Sequence, residues 1–204
     1  TDSPFPPVLS SVFRSPAAML TVLQHPLAAH VITHLRDKTT KPATFRTLAY
    51  HISLLLAIEA TRHLATEAKP IETPLESVTG RILARQPLVV VPILRAGLGM
   101  VQPFLDIFPD VSVGYIGLER DHETAVARSY YCKLPALEGR HVFVVDPMLA
   151  TGGSATQAID VVKSAGGRDI TLLSIVSSPE GVAAVAKQHP QVPIFTAALD
   201  RGLN

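Results

Sequence analysis

The chain of 204 residues is 47% hydrophobic and 17% charged, which is enough apolar material for one domain with a sizeable core. Its 18 basic and 17 acidic side chains leave a net charge of +1, so there is no broad electrostatic field to attract nucleic acid or an anionic membrane. A single cysteine, Cys132, excludes an intrachain disulfide and a thiolate metal site, and it fits a reducing, cytoplasmic compartment.

Residues 1–24 are predicted to form a tail and a lead-in to the folded domain. Residues 1–7 are rich in proline and lack the basic and apolar regions of a signal peptide, so we expect a flexible tail. The longest apolar runs, such as Leu88–Leu94, are much shorter than the roughly 20 residues of a membrane-spanning helix. We therefore predict no association with a membrane.

Two helices and a hairpin are predicted to precede the main sheet. The first helix covers Leu27–Asp37, and the second covers Phe45–Glu59, where apolar residues recur at helical spacing and mark one buried face. Within Ile71–Leu83, Pro74 and Gly80 interrupt short β-like runs. This segment predicts a small hairpin that forms a flap beside the sheet.

After residue 87, predicted strands and helices alternate. Apolar runs rich in β-branched residues predict five strands, which are Leu88–Leu94, Val111–Leu118, His141–Val145, Ile170–Val176 and Val192–Thr196. Helical segments lie between several of them, at Gly99–Ile107, Ser154–Ala165 and Pro179–His189. This alternation is typical of a parallel sheet covered by helices on both faces, so we predict a doubly wound α/β domain.

The run HVFVVDPMLATGGS at residues 141–154 leads from a buried strand through an acid into a glycine turn that begins a helix. Backbone amides at the start of a helix lack intrahelical partners, and the helix dipole adds positive charge, so a phosphate bound there is stabilised. Thr151 and Ser154 add hydroxyl donors, and Gly152 and Gly153 allow a ligand to approach the backbone closely. The run therefore predicts an anion-binding turn.

The spacing of this motif leaves a second interpretation open. Asp146 follows the strand at the edge where α/β sheets usually place ligand contacts. The turn lacks the lysine of a nucleoside-triphosphate loop and the glycine spacing of a dinucleotide fingerprint. On residues alone, it is either an anion-binding loop or a glycine turn that only packs the helix on the strand.

An acid that ends a strand before a TGG turn resembles the ribose-5-phosphate loop of the type I phosphoribosyltransferases, and the longer string VVDPMLATGGSA resembles their uracil-specific branch. The resemblance implies a central, mainly parallel sheet flanked by helices, with N-terminal helices and a hairpin flap. It also implies that the loop binds phosphoribosyl pyrophosphate through Asp146, Pro147, Met148, Leu149, Ala150, Thr151, Gly152, Gly153 and Ser154.

Pro147 stands where most members of that superfamily carry a second acid. The resemblance therefore implies that Asp146 alone meets the ribose hydroxyls. Magnesium is then held mainly by oxygens of the substrate and by water, which suits an ion that retains its waters, and no direct protein ligand is assigned.

The string VPILRAGLGM at residues 91–100 resembles the pyrophosphate loop of the family. This resemblance assigns Arg95, Ala96 and Gly97 to the substrate. Arginine suits the position because its planar fork bonds two phosphate oxygens at once and keeps its charge. The alternative for Arg95 is an ordinary surface cation.

The strings IGLERDHET (residues 116–124) and SYYCKLP (residues 129–135) resemble the family's mobile loop, and the polar stretch between them shows no helical or strand period. The resemblance directs Arg120 at the pyrophosphate and places Lys133 among the substrate contacts. Taken singly, Lys133 is about as consistent with an ordinary surface residue as with a contact to the substrate. The implied catalytic set is Asp146, Arg95 and Arg120.

Family-like strings run from about His25 to Asn204, which implies one phosphoribosyltransferase domain over residues 25–204. The implied reaction transfers a phosphoribosyl group to uracil and gives UMP, in a homodimer or homotetramer that GTP activates. The family's base-binding segment follows a string like Arg201–Asn204, so we expect it to be missing here and assign no uracil contact. The alternatives are another base as acceptor, or a regulator that senses phosphoribosyl pyrophosphate.

Overall fold

The structure, a computed structural model, describes residues 20–84, 87–120 and 127–203. In these ranges the strands are β1 (Leu20–Val22), β2 (Thr66–Glu72), β3 (Ser77–Leu83), β4 (Leu88–Leu94), β5 (Ser112–Val113), β6 (Tyr115–Arg120), β7 (Ala127–Lys133), β8 (His141–Val145), β9 (Met148–Leu149), β10 (Asp169–Ser177) and β11 (Ile194–Leu199). The helices are α1 (Pro26–Arg36), α2 (Pro42–Ala60), α3 (Val101–Ile107), α4 (Gly153–Ser164) and α5 (Pro179–Gln188), with a 3₁₀ helix at Ala96–Met100.

Proline begins three of the helices. Pro26, Pro42 and Pro179 occupy the first helical positions, where a missing N–H group costs no intrahelical hydrogen bond. At α5 the hydroxyl of Ser178 also accepts a hydrogen bond from the N–H of Gly181. These starting points therefore follow from local sequence chemistry.

The main sheet has the strand order β1-β11-β10-β8-β4-β6-β7, with β5 beside β4 and β9 beside β10. Within the described ranges every pair in it is parallel except β6–β7. The carboxyl ends of β4 and β8, which are direct neighbours, therefore lie at the same edge. The predicted α/β class with a mainly parallel sheet is confirmed.

Alternate residues of the central strands pack against helices on opposite faces of the sheet. In β8, Phe143 belongs to the cluster that includes α1, α2 and α3, whereas Val142 and Val144 belong to the cluster that includes α4 and α5. All five residues of β8 and six of the seven in β4 are buried. A strand buried on both faces is continuously apolar, which explains why these two strands were predictable.

The predicted hairpin is present as β2 and β3, which form a two-stranded sheet of their own. It begins at Thr66 rather than at Ile71, because residues 66–70 pair in register with 79–83 although they carry little β-like pattern. Nearly every residue of both strands is exposed. The hairpin therefore projects from the domain as an arm.

The structure corrects the predicted strand Val111–Leu118. It is divided into β5 and β6 at Gly114, whose N–H donates to the carbonyl oxygen of Val90 at 2.9 Å. A β-carbon at Gly114 would lie 2.8 Å from the side chain of Leu134, so glycine is needed at this crossing.

Three strands escaped prediction, namely β1, β7 and β9. By resemblance, residues 129–135 were assigned to a mobile loop, and the stretch before them shows no helical or strand period, yet Ala127–Lys133 pairs antiparallel with β6. The residues from Tyr130 to Lys133 are all exposed, so this part of β7 has no alternation of buried and exposed positions that a sequence pattern could reveal. No helix in the part of the chain that the structure describes is both long and apolar enough to cross a membrane.

Candidate active site

Asp146 lies immediately after β8, at the carboxyl edge of the sheet. Its N–H donates to the carbonyl oxygen of Leu173 at 3.1 Å, and its own carbonyl oxygen accepts the hydroxyl of Ser174 at 2.6 Å. Both contacts come from the parallel neighbour β10, and Ser174 is fully buried. The backbone of Asp146 is therefore fixed from behind, and Ser174 is a positioning contact that only the strand register reveals.

The carboxyl group of Asp146 is half-buried and weakly solvated. Burial raises its pKa to about 6, although a hydrogen bond from the N–H of Met148 acts in the opposite direction. Desolvation favours the neutral form of a carboxyl group. A cation bound beside Asp146 would favour the ionised form, and the ionised carboxylate would in turn bind the cation more tightly. In the described ranges, no group of three or more His, Cys, Asp or Glu residues is arranged to hold a metal ion.

The loop after Asp146 is held by backbone contacts on its inner side. The carbonyl oxygen of Pro147 accepts N–H groups from Ile175 and Val176 at 3.1 and 3.0 Å. The following residues form β9, in which Met148 is 64% exposed and Leu149 is buried. The predicted loop residues therefore present one flank to solvent and fasten the other to the sheet.

Helix α4 begins directly after this loop, with Gly152 as its N-cap residue. Gly152 has φ +83°, the left-handed region that favours glycine. No side chain caps the helix, and its first turn holds no acidic residue. Within the described ranges, the N–H groups of Gly153, Ser154 and Ala155 have no hydrogen-bond acceptor. The start of α4, the positive end of its dipole, therefore has three N–H groups available to a ligand, and the binding of an anion there stays a prediction.

Arg95, Ala96 and Gly97 lie after β4 at the same edge, and the Leu94–Arg95 peptide bond is cis. The side chain of Arg95 is exposed and has no carboxylate partner in the described part of the chain. A β-carbon at Gly97 would lie 2.5 Å from the carbonyl oxygen of Val145. The structure therefore brings the two predicted loops together, with Gly97 packed against the last residue before Asp146.

The antiparallel pair β6–β7, at one side of the main sheet, carries the other two predicted residues. Gly117 pairs with Leu94, so Arg120 lies three residues beyond that edge, and its side chain is outside the described structure together with residues 121–126. Lys133 pairs with Tyr115, three strands away from β8 or about 14 Å at ordinary strand spacing. The exposed side chain of Lys133 makes no hydrogen bond or ion pair among the described residues, so the structure does not bring it to Asp146.

Comparisons with known proteins identify relatives of this chain. The family model described as uracil phosphoribosyltransferase matches residues 22–204. A curated protein from Fervidobacterium nodosum with the same name is 51% identical over 187 residues, which cover 91% of this chain and 90% of that protein.

Solved structures show the same architecture. A protein from Aquifex aeolicus superposes with a TM-score of 0.84 at 31% identity, covering 91% of this chain and 89% of that chain. A purine phosphoribosyltransferase from Pyrococcus horikoshii gives a TM-score of 0.53 at 16% identity, covering 75% and 83% of the two chains. At that identity the second likeness bears on the fold alone, and it confirms the predicted phosphoribosyltransferase-like sheet.

Proposed function

Because the chain belongs to the uracil phosphoribosyltransferase family, we propose that it transfers the phosphoribosyl group of phosphoribosyl pyrophosphate to uracil, giving UMP and pyrophosphate. The observation that carries the proposal is the set of three backbone amides at the start of α4, which have no acceptor in the described structure and lie after Asp146. They form an anion site beside a carboxyl group that can face a sugar.

The 5-phosphate is assigned to the loop that includes Thr151, Gly152, Gly153 and Ser154. Its amides and hydroxyls donate to phosphate oxygens, and the dipole of α4 adds positive charge. The pyrophosphate is assigned to the loop that includes Arg95, Ala96 and Gly97. The packing of Gly97 on Val145 supports this division, because it holds the two loops side by side.

In the proposed reaction, pyrophosphate leaves carbon 1 of the ribose while the ring oxygen delocalises positive charge, and a uracil nitrogen enters from the opposite face. Arg95 neutralises the leaving group, and the resemblance assigns Arg120 and Lys133 to the same task. Asp146 orients the ribose hydroxyls. Charge stabilisation and positioning dominate, since no described side chain at this edge is an evident general base.

Magnesium fits this site on the chemistry of the donors. Asp146 offers a half-buried carboxylate whose negative charge is poorly solvated, and hard oxygen donors are what magnesium prefers. Bound with the substrate, the ion would supply positive charge to the pyrophosphate oxygens. Asp146 would hold it through water and the ribose rather than as part of a protein cage.

The test is an assay of the full chain with phosphoribosyl pyrophosphate, magnesium and one of three bases: uracil, orotate or hypoxanthine. The proposal predicts nucleotide formation with uracil alone. Turnover with orotate or hypoxanthine instead would assign another base, and substrate binding without turnover would favour a regulator that senses phosphoribosyl pyrophosphate.

Assembly as a homodimer or homotetramer is also proposed, and the β2–β3 arm supports it. Ile71, Val78 and Ile82 share one face of this arm and are 43%, 36% and 40% exposed. A lone two-stranded hairpin is marginally stable in water, so a second copy of the chain that covers this face would stabilise it. Activation by GTP and a cytoplasmic location rest on the resemblance and the single cysteine, and no residue is assigned to GTP.

A further inference from the structure

Ser178 makes three hydrogen bonds, two of which join the start of α5 to residues 146–154, the sugar-phosphate loop. Its N–H donates to the carbonyl oxygen of Leu149 at 2.8 Å, and its hydroxyl donates to the carbonyl oxygen of Ala150 at 2.5 Å. The same hydroxyl oxygen accepts the N–H of Gly181 at 3.0 Å. Ser178 is 4% exposed, so one buried hydroxyl both caps α5 and holds the loop.

Close packing reinforces these hydrogen bonds. A β-carbon at Gly181 would overlap the carbonyl oxygen of Ala150 and would lie 2.8 Å from that of Leu149. A β-carbon at Gly152 would in turn lie 2.9 Å from the carbonyl oxygen of Gly181. The first turn of α5 is therefore a tight support under the loop, with no room for an added methyl group.

The direction of each held carbonyl decides the direction of an amide. In a trans peptide the C=O group of one residue and the N–H group of the next point in opposite directions. Since Ser178 holds the carbonyl oxygen of Ala150, the N–H of Thr151 points away from α5.

Thr156 orients two further amides in the same way, by holding carbonyl oxygens one turn further along the chain. Its hydroxyl lies 3.0 Å from the carbonyl oxygens of both Gly152 and Gly153, which turns the N–H groups of Gly153 and Ser154 the other way. The loop amides are thus aimed by contacts on its inner side, from α4 at one end and from α5 at the other.

We propose that Ser178 and Gly181 are positioning residues for the sugar-phosphate loop, which aim its amides at the 5-phosphate without touching the substrate. This inference rests on the proposed function, because it takes that loop as the phosphate site. It adds that α5, a helix with no assigned part in the reaction, determines affinity for the sugar phosphate.

The first experiment compares Ser178→Ala with Ser177→Ala. Ser177 is the matched control, because it is 1% exposed and its hydroxyl donates to that of Thr196 at 2.9 Å rather than to the loop. Calorimetry gives the dissociation constants for ribose 5-phosphate and for pyrophosphate with magnesium. Ser178→Ala should weaken ribose 5-phosphate binding about tenfold, the effect of one lost hydrogen bond, and leave pyrophosphate binding unchanged.

Steady-state kinetics should show the same division. In Ser178→Ala, the KM for phosphoribosyl pyrophosphate should rise about tenfold with little change in kcat, because the lost contact acts on binding. Ser178→Thr keeps the hydroxyl and should restore ribose 5-phosphate affinity. If Ser178→Ala weakened the binding of ribose 5-phosphate and of pyrophosphate equally, or if Ser178→Thr did not restore ribose 5-phosphate affinity, Ser178 would act only as a helix cap. Either result would overturn the inference.

A second variant, Gly181→Ala, keeps the hydroxyls of Ser178 and Thr156 and the hydrogen bond by which Ser178 caps α5. Alanine favours the helix over glycine, so α5 itself should tolerate the change, while the added methyl group displaces the carbonyl oxygen of Ala150. Ribose 5-phosphate binding should again weaken about tenfold with pyrophosphate binding retained. If this variant and Ser178→Ala both bound ribose 5-phosphate with wild-type affinity, the inference would be overturned and the proposed function would stand. If the wild-type chain bound no ribose 5-phosphate, both the inference and the proposed function would be overturned.

Discussion

The α-carbon of Gly97 packs so closely on the end of β8 that a β-carbon there would lie 2.5 Å from the carbonyl oxygen of Val145. It would also lie 3.0 Å from the β-carbon of Pro92, on the neighbouring strand. Gly97 therefore sets how near the loop that carries Arg95 comes to Asp146. Two loops that are 51 residues apart in sequence meet through this contact.

Gly97→Ala tests that contact. The added methyl group must push the loop away from β8, so we expect the KM for phosphoribosyl pyrophosphate to rise about tenfold and the free energy of unfolding to fall by about 1–3 kcal/mol. Gly99→Ala is the control, since it lies in the same 3₁₀ helix and a β-carbon there meets nothing within 4 Å. Equal effects from the two substitutions would show that the loop position does not depend on Gly97.

Asp146→Asn should raise the stability of the fold while it lowers the rate of the reaction. The pKa of Asp146 rises from 3.8 to about 6 on folding, so the folded chain holds more protons than the unfolded chain between those pH values. The free energy of unfolding therefore falls as pH rises through that window, by at most about 3 kcal/mol. Asparagine removes this penalty, so the Tm at pH 7 should increase while uracil-dependent pyrophosphate release drops by about 100-fold or more.

The same carboxyl group predicts the pH dependence of the wild-type reaction. In the proposed reaction the ionised form orients the ribose, so kcat/KM for phosphoribosyl pyrophosphate should fall about tenfold per pH unit below about pH 6. A profile that stays flat down to pH 5, or an Asp146→Asn variant with unaltered turnover, would remove Asp146 from the catalytic set.

The strands β4 and β8 were predictable with the bounds that the structure has, because a strand buried on both faces is a continuous apolar run. Strand β7 was not, since its residues from Tyr130 to Lys133 are all exposed and show no alternation of buried and exposed positions.

For the candidate site, the residues of each loop could be inferred from their motifs, but their supports could not. Ser178 can be interpreted locally as the cap of α5, yet its bond to Ala150 exists only because β9 pairs with β10. Likewise, the proximity of Arg95 to Asp146 depends on the register of β4 and β8, in which Pro92 pairs with Val145. Contacts of this kind are set by tertiary structure rather than by any local pattern.

Arg95→Ala should weaken the binding of phosphoribosyl pyrophosphate and of pyrophosphate, and leave ribose 5-phosphate binding unchanged. The guanidinium of Arg95 is exposed and has no carboxylate partner among the described residues, so it is available to phosphate oxygens. A charged hydrogen bond contributes about 1.5–3 kcal/mol, or roughly 10- to 150-fold in affinity. Arg168→Ala is the control, because Arg168 is also exposed but precedes β10 at the opposite edge of the sheet. An unchanged dissociation constant for pyrophosphate would contradict the pyrophosphate-loop assignment.

The arm formed by β2 and β3 predicts how the chain assembles. Replacing Ile71, Val78 and Ile82 together by threonine keeps β-branched side chains in the strands but removes the three apolar side chains from a face that also carries Glu67 and Lys69. The variant should therefore sediment as a monomer while the wild-type chain sediments as a dimer or tetramer. The matched control changes Ala68 and Glu72 to threonine on the opposite face of the same arm and should assemble like the wild type. Analytical ultracentrifugation measures both, and a triple variant that still assembles would exclude this face as the interface between copies.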